Sequence, residues 1–281
     1  VTTEVAPLRT SQGTRTPSRL GCFDARRPAP DPLAGFRITF TGEGTQSLLG
    51  NDISWPQCSQ DLPTGQAFSI VGVNNGLANT TNPCLAKQLT WAASSSGGTP
   101  QPKVSLYVNT ANPGSAGSWW PTSDEYPAGT PIHNPYGPCK AKDYGKACAY
   151  MYGYAKAWDD AHIRGISKAS DYIWWLDVET GNSWSTADKD ANCAVLEGMT
   201  DFFRSIKAKG VGIYSTGSQW SQIVGTISSS SNLYSLPSWL AGARTQTGAK
   251  GNCSNPPLTW GGRVTLTQFV SRGFDYDYSC V

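Results

Sequence analysis

The sequence is poor in charge, in histidine and in long apolar runs. Charged residues make up 15% of it and the net charge is +2. That balance excludes a basic nucleic-acid surface or a polybasic membrane patch as the main partner. Its two histidines, His133 and His162, lie far from any zinc-ligand spacing, and no H-E-x-x-H or C-x-x-C is present. A metal centre or other cofactor is therefore not expected. No strand is followed by G-x-G-x-x-G or a P-loop lysine, which removes the usual nucleotide cradle. A G-x-S-x-G elbow is also missing, which weakens a serine esterase or amidase reading. No apolar run approaches the roughly 20 residues of a membrane-spanning helix.

What is abundant is aromatic surface and cysteine. Eleven Trp and twelve Tyr occur in 281 residues. Low charge with many flat rings suits a carbohydrate site, where sugar faces stack on aromatics; the alternative for any single Trp is the core. Eight cysteines at positions 22, 58, 84, 139, 148, 193, 253 and 280 form an even set without metal spacing. Disulfides and an oxidising compartment follow. Cys139 and Cys148, in "GPCKAKDYGKACAY", are the expected local bridge. The other pairings stay open, since eight cysteines allow about 105 connectivities. The chain begins at Val1 without a signal peptide, which fits a mature secreted, extracellular protein. Asn79 and Asn252 begin glycosylation sequons.

Residues 1–46 are rich in Arg, Thr and Pro and read as an N-terminal arm, with Cys22 able to pin it and 36–42 a short strand. From about residue 47 onward, strand-like runs alternate with helical ones. Strands are expected at "NDISW", 67–76, 103–114, 172–178, 211–216, 236–243 and 263–270. Helices are expected over 84–97, 148–166, 188–210 and 218–225, with Gly210 capping the third. Residues 111–145, rich in Pro, Gly, Trp and Ser, form a long structured insertion. The alternation predicts an α/β fold. The specific expectation is a parallel (β/α) TIM-like barrel, irregular in places and stabilised by disulfides; a doubly wound open sheet is the alternative.

One run carries the chemistry. "YIWWLDVETGNSW" (172–184) is an apolar strand that ends in two acids, Asp177 and Glu179. Residues two apart share a strand face, so these two project together with Trp175, while Trp174, Leu176 and Val178 face the helices. Paired carboxylates push one proton affinity up, and glycosidic cleavage needs such a pair: one acid protonates the leaving oxygen and a carboxylate balances the sugar cation. On this reading Glu179 is the donor and Asp177 stays ionised beside it. Other strand ends add polar and aromatic groups: Asp52, Asn74, Asn109, Tyr214, Trp239, Gln268, Asp275 and Asp277. In α/β barrels the site sits at this carboxyl-end rim.

With these residues in view, the sequence resembles glycoside hydrolase family 25, the muramidase-type lysozymes, in an actinobacterial style. "GNDISWPQ" is similar to that family's opening G-x-D-x-S-x-x-Q, with Asp52 in the strand-one position. "WWLDVET" matches its strand ending in D-x-E, "VGIYSTGSQW" its "YT" strand, and "LPSWLAGA" its Trp-bearing strand. "VTLTQFVSRGFDYDYS" matches its closing segment, with Gln268 in place and Asp275 or Asp277 as the late Asp. The resemblance covers about residues 48–281. The longer stretch between Asp52 and Asp177, Thr267 in place of the Trp before Gln268, and the eight cysteines depart from it. It implies a secreted hydrolase of cell-wall polysaccharide. Glu179 would be its general acid, with Asp177 and Asp52 as charge-stabilising or nucleophilic partners. Asn74, Asn109, Trp175, Tyr214, Trp239, Gln268, Asp275 and Asp277 would contact the sugar. Peptidoglycan is the favoured substrate, with arabinan or galactan behind it; the alternative is a non-catalytic carbohydrate-binding surface protein. A monomer acting on polysaccharide, without nucleic acid or membrane, is expected. The insertion should wall the cleft, with Trp119 or Trp120 either stacking on sugar or pinning the loop.

Overall fold

The computed structural model describes residues 48–281, so the arm, Cys22 and the expected strand over 36–42 lie outside the described residues. Eight strands close a barrel in sequence order. They are β1 (Leu49–Ile53), β2 (Ser69–Gly72), β3 (Val104–Asn109), β4 (Ile173–Asp177), β5 (Gly210–Ser215), β6 (Ser238–Ala243), β7 (Val264–Ser271) and β8 (Phe274–Ser279). The first seven are parallel to their neighbours along the chain, whereas β8 runs antiparallel to both β7 and β1. The barrel is therefore mixed rather than wholly parallel, and it holds one strand more than the sequence pattern predicts. The cause is local. Arg272 and Gly273 both take left-handed φ values, 52° and 80°. A two-residue turn of that kind folds a strand back on its neighbour and leaves no length for a crossover helix.

Five helices pack on the outside: α1 (Leu85–Ala93), α2 (Lys146–His162), α3 (Lys189–Ser205), α4 (Gly217–Ile223) and α5 (Gln246–Asn252). The last has no counterpart among the expected helices; "QTGAKGN" lacks an apolar stripe, and the Thr245 side chain caps it by accepting from Gly248 N–H at 3.1 Å. Helix α3 starts where expected, with Asp188 capping Ala191 N–H at 2.9 Å. It ends at Ser205, five residues before Gly210, because Lys207 makes the left-handed turn at φ 58° and Gly210 opens β5.

Strand β4 separates the two cores as period two requires. Trp174 and Leu176 belong to the large core between barrel and helices, where Trp174 stacks on Phe203 at 4.4 Å. Trp175 belongs to a small core inside the barrel with Phe68, Ile70, Trp239 and Leu266. These bulky rings fill the lower barrel as a packed layer. Room for them comes from glycine: a Cβ on Gly212 would stand 2.2 Å from the Trp175 ring.

Three disulfides tie the periphery: Cys58–Cys84, Cys139–Cys148 and Cys253–Cys280. Cys193 is also bonded, and no described cysteine is free. The bridge Cys139–Cys148 fastens the end of the 111–145 segment to α2, as its spacing leads one to expect.

Helices α2 and α3 touch backbone to backbone. A Cβ on Gly198 would lie 2.0 Å from the Tyr150 carbonyl oxygen. Gly198→Ala should therefore destabilise the protein by about 1–3 kcal/mol through overpacking, outweighing the gain of about 1 kcal/mol in helix propensity. Urea unfolding measures this; a variant as stable as the wild type would mean the helices can separate at no cost.

Candidate active site

The carboxyl ends of the strands open into a cleft of about 380 Å³. Its lining includes Asp52, Asn109, Asp177, Glu179, Tyr214, Trp239, Gln268 and Asp275. All three acids expected to be catalytic thus converge in one cavity. Each stands there for a structural reason. Asp52 lies on β1 opposite Asp275 on β8, and Asn109 on β3 lies opposite Asp177 on β4. Glu179 follows two residues past the last residue of β4, where the chain leaves the barrel.

Three of the expected sugar-contacting residues do not line the cleft. Trp175 points into the barrel below it and packs edge-on against Trp239, centroids 5.8 Å apart. Asp277 is fully buried, two residues deeper along β8 than Asp275, and accepts the Trp239 indole N–H at 2.8 Å. Asn74 sits behind the rim, since its strand ends at Gly72 and the chain has already turned outward. Its Oδ1 accepts from Asn109 N–H at 2.8 Å, and its Nδ2 donates to Asp160 on α2 at 2.9 Å. All three support lining residues instead of touching the cavity.

Sequence reasoning passes over several lining residues. Tyr107 on β3 is one; a Cβ on Gly72 would stand 2.5 Å from its ring, so the glycine makes its place. Trp55 stands 45% exposed at the lip. Gln57 and Asn182 complete the wall. Gln219, in the first turn of α4, bonds the Glu179 side chain and accepts from Thr180 N–H at 2.5 Å. Tyr107 could have been found by the rule that located Asn109, because residues 107 and 109 share a strand face.

No Lys, Arg or His is among the described lining residues. The carboxyls therefore face one another without a cation. Hydrogen bonds do part of the work: Gln268 Nε2 donates to Asp52 at 2.9 Å while its Oε1 accepts from Tyr214 Oη at 2.9 Å. Asn109 Nδ2 donates to Asp177 at 2.8 Å. Burial nevertheless dominates and drives every one of these acids toward its protonated form. Asp177 is pushed well above the usual 3.8, first by burial and then by the charge of Glu179. Asp52 rises likewise, by burial and by Asp275. Asp277 rises first by burial and then by the charge of Asp52. Glu179 rises by burial, is partly lowered by its bond to Gln219, and is raised by Asp275. Both acids of the D-x-E pair are thus pushed toward their protonated forms, and Asp275 adds to the charge that raises Glu179.

The insertion divides its two tryptophans. Trp120 stacks on Tyr152 at 5.1 Å and donates its N–H to the Asp143 carbonyl at 2.7 Å, so it pins the segment. Trp119 is left 40% exposed. Neither lines the cleft itself. Among the described residues, no group of three or more His, Cys, Asp or Glu is arranged to hold a metal ion, and no helix is long and apolar enough to cross a membrane.

A carboxyl with a raised folded-state pKa contributes stability below its unfolded value and loses it as pH rises through the folded value. For Asp277 that loss begins near 3.8 and extends upward. Asp277→Asn keeps an acceptor for Trp239 but cannot ionise. Its Tm should exceed that of the wild type by a margin that grows from pH 4 to pH 7. A margin independent of pH in thermal melts would show that Asp277 is not held protonated.

Comparison with known proteins agrees with this architecture. A family model described as lysozyme-like protein 1 matches residues 166–253, the stretch from before β4 to the end of α5. No curated protein matches the sequence significantly. Among solved structures, the muramidase from Acremonium alcalophilum aligns with a TM-score of 0.51 at 19% identity, covering 83% of this chain and 93% of the other. The muramidase from Trichobolus zukalii gives the same figures. A family GH25 lysozyme from Aspergillus fumigatus aligns with a TM-score of 0.50 at 16% identity, over 82% and 92% of the two chains. These likenesses say nothing of the source organism. The chain has the irregular TIM-like barrel fold of the family 25 muramidases.

Proposed function

We propose that the protein is a secreted glycoside hydrolase that cleaves the glycan strand of peptidoglycan, with Glu179 as its general acid. The observation that carries this reading is the convergence of Asp52, Asp177, Glu179 and Asp275 on one cleft at the barrel mouth, with no cation among the described lining residues. A carboxyl that must donate a proton has to retain it at working pH. Glu179 has that property and is the less buried member of the D-x-E pair. It can reach a glycosidic oxygen lying in the cleft. As the carbon–oxygen bond breaks, positive charge grows on the sugar ring, and the carboxylate charge shared by Asp275, Asp52 and Asp177 balances it. Tyr214 and Gln268 fix Asp52, while Asn109 fixes Asp177. Trp55, 45% exposed at the lip, offers an apolar face to the sugar, with Trp239 buried beneath the floor of the cleft. Peptidoglycan is favoured over arabinan or galactan because the fold is that of muramidases. Disulfides agree with an extracellular site of action.

Purified protein incubated with peptidoglycan, chitin, arabinan and galactan, with product masses determined, tests the substrate; release of reducing sugars only from peptidoglycan is expected. Absence of products from every polymer, with binding retained, would instead support a non-catalytic carbohydrate-binding protein. Glu179→Gln should lower turnover by about 10²–10⁴-fold while folding and glycan binding persist. A variant keeping a tenth of wild-type turnover would place the acid elsewhere.

The pH profile gives a second check. Activity should decline on the alkaline side as Glu179 loses its proton. Asp275→Asn removes a charge that raises Glu179, so the alkaline limb should move to lower pH. An unmoved limb would mean that Asp275 does not set the donor.

A further inference from the structure

The wall of the cleft continues into a neighbouring cavity of about 170 Å³. Asn182 lines both cavities. The loop after β2 passes from one to the other, with Gly76 on the cleft and Leu77 to Asn79 on the neighbour. The loop after β4 does the same, with Gly181 on the cleft and Ser183 on the neighbour. Consecutive residues of two loops thus carry a single surface from the acids outward. Trp119 closes its far end, 40% exposed.

We propose that this second cavity is a sugar subsite, built by Trp119 of the insertion and Tyr152 of α2, which holds a further residue of the glycan strand whose bond is cleaved in the main cleft. The inference rests on the glycosidase reading above and extends it to substrate length. The indole is held before any ligand arrives. Lys156 Nζ stands 4.9 Å from the ring centroid and is itself fixed to Asp159 at 2.5 Å. Tyr126 meets the ring edge-on at 5.6 Å and Tyr152 lies 6.0 Å away. Asn79 Nδ2 donates to Ser118 Oγ at 3.3 Å and ties the β2 loop to the residue before Trp119. A rotamer already fixed costs little to order on binding, and an exposed aromatic ring so placed suits the C–H face of a pyranose. Asn182 adds hydrogen bonding at the seam: its amide nitrogen has no acceptor among the described residues, and a turn of the amide offers it to a sugar hydroxyl. With no free carboxylate or unpaired cation among the described lining residues, the subsite fits an uncharged sugar ring better than a peptide carboxylate.

The test compares glycan strands of defined length, from two to eight sugars, as substrates for the wild type, Trp119→Ala, Trp119→Tyr and Leu77→Arg. Leu77 is 60% exposed and lines the cavity, so an arginine there blocks it without disturbing the core. For the wild type, KM should fall as the strand lengthens, with kcat nearly constant. Trp119→Ala and Leu77→Arg should lose roughly tenfold of that gain, the loss expected when one ring contact is removed. Both should match the wild type on the shortest strand cleaved, and Trp119→Tyr should restore most of the gain. A wild-type KM independent of length, or variants that lose equally on the shortest and longest strands, would overturn the subsite while leaving the hydrolase reading intact. A wild type that cleaves no strand of any length would overturn the hydrolase reading and the subsite with it.

Discussion

Carboxyls crowded into a barrel mouth, with no cation among the described residues lining it, set the terms for the rest of this structure. Asp52, Asp177 and Asp277 are buried, Glu179 and Asp275 are half-buried, and each is pushed toward its neutral form. Burying so many charges together would cost far more than the hydrogen bonds return. Burial therefore biases these carboxyls toward their protonated forms, and the amides around them partly offset it. Gln268 and Asn109 donate to Asp52 and Asp177 and make the charged form tolerable there. Asp277 accepts the Trp239 N–H. Glu179 and Asp275, both half-buried, are the members that reach furthest into the open cleft. A group of acids with raised proton affinities opposes folding as pH rises, and the packed ring layer beneath supplies the rigidity to keep it together.

The antiparallel strand β8 is what completes that group. In a wholly parallel barrel the strand beside β1 would arrive after a crossover helix, and its residues would face the rim from the same direction as the others. Here the Arg272–Gly273 turn sends the chain straight back. The last strand then presents Asp275 opposite Asp52 and Asp277 opposite Gly50. Their period-two spacing places both on the inner face, one at the cleft and one below it. The same hairpin sets Gln268 across from Asp277, so the amide that steadies Asp52 comes from the neighbouring strand.

The sequence made β4 legible because its alternation is strict and its two acids break an otherwise apolar run. Trp174 and Trp175 fall on opposite faces as period two demands. Asp52 was legible from its place in a short strand-like run and from the G-x-D-x-S-x-x-Q pattern around it. Strand β8 was not: "FDYDYS" alternates acids with tyrosines, and acids inside a barrel look like a polar loop until the partners beside them are known. Helix α5 was hidden because its seven residues carry no apolar stripe and depend on Thr245 and a disulfide. Asn74 shows the opposite error. It ends a run that reads as strand, yet the ladder stops at Gly72, and the side chain serves Asn109 from behind. Gln219 was invisible because it reaches Glu179 from a different element, and only the closure of β4 against β5 brings α4 to that edge.

The insertion extends the same logic outward. A long segment between β3 and α2 would be a liability if it moved, since its residues lie next to a cleft that needs fixed geometry. Cys139–Cys148 secures its end, and Trp120 buries one of its two rings against Tyr152. The ion pair of Lys156 with Asp159 then does for Trp119 what Gln268 does for Asp52: it holds a group in place while leaving one side of it open. Inside the cleft, hydrogen-bonded amides fix acids, which suits the proton donation proposed there. On the insertion, a cation and tyrosines fix an indole, which suits the proposed stacking of a neutral sugar ring. Aromatic residues replace charge as the distance from the acids grows, which is how a chain with so little charge can still build an extended polar-ligand surface.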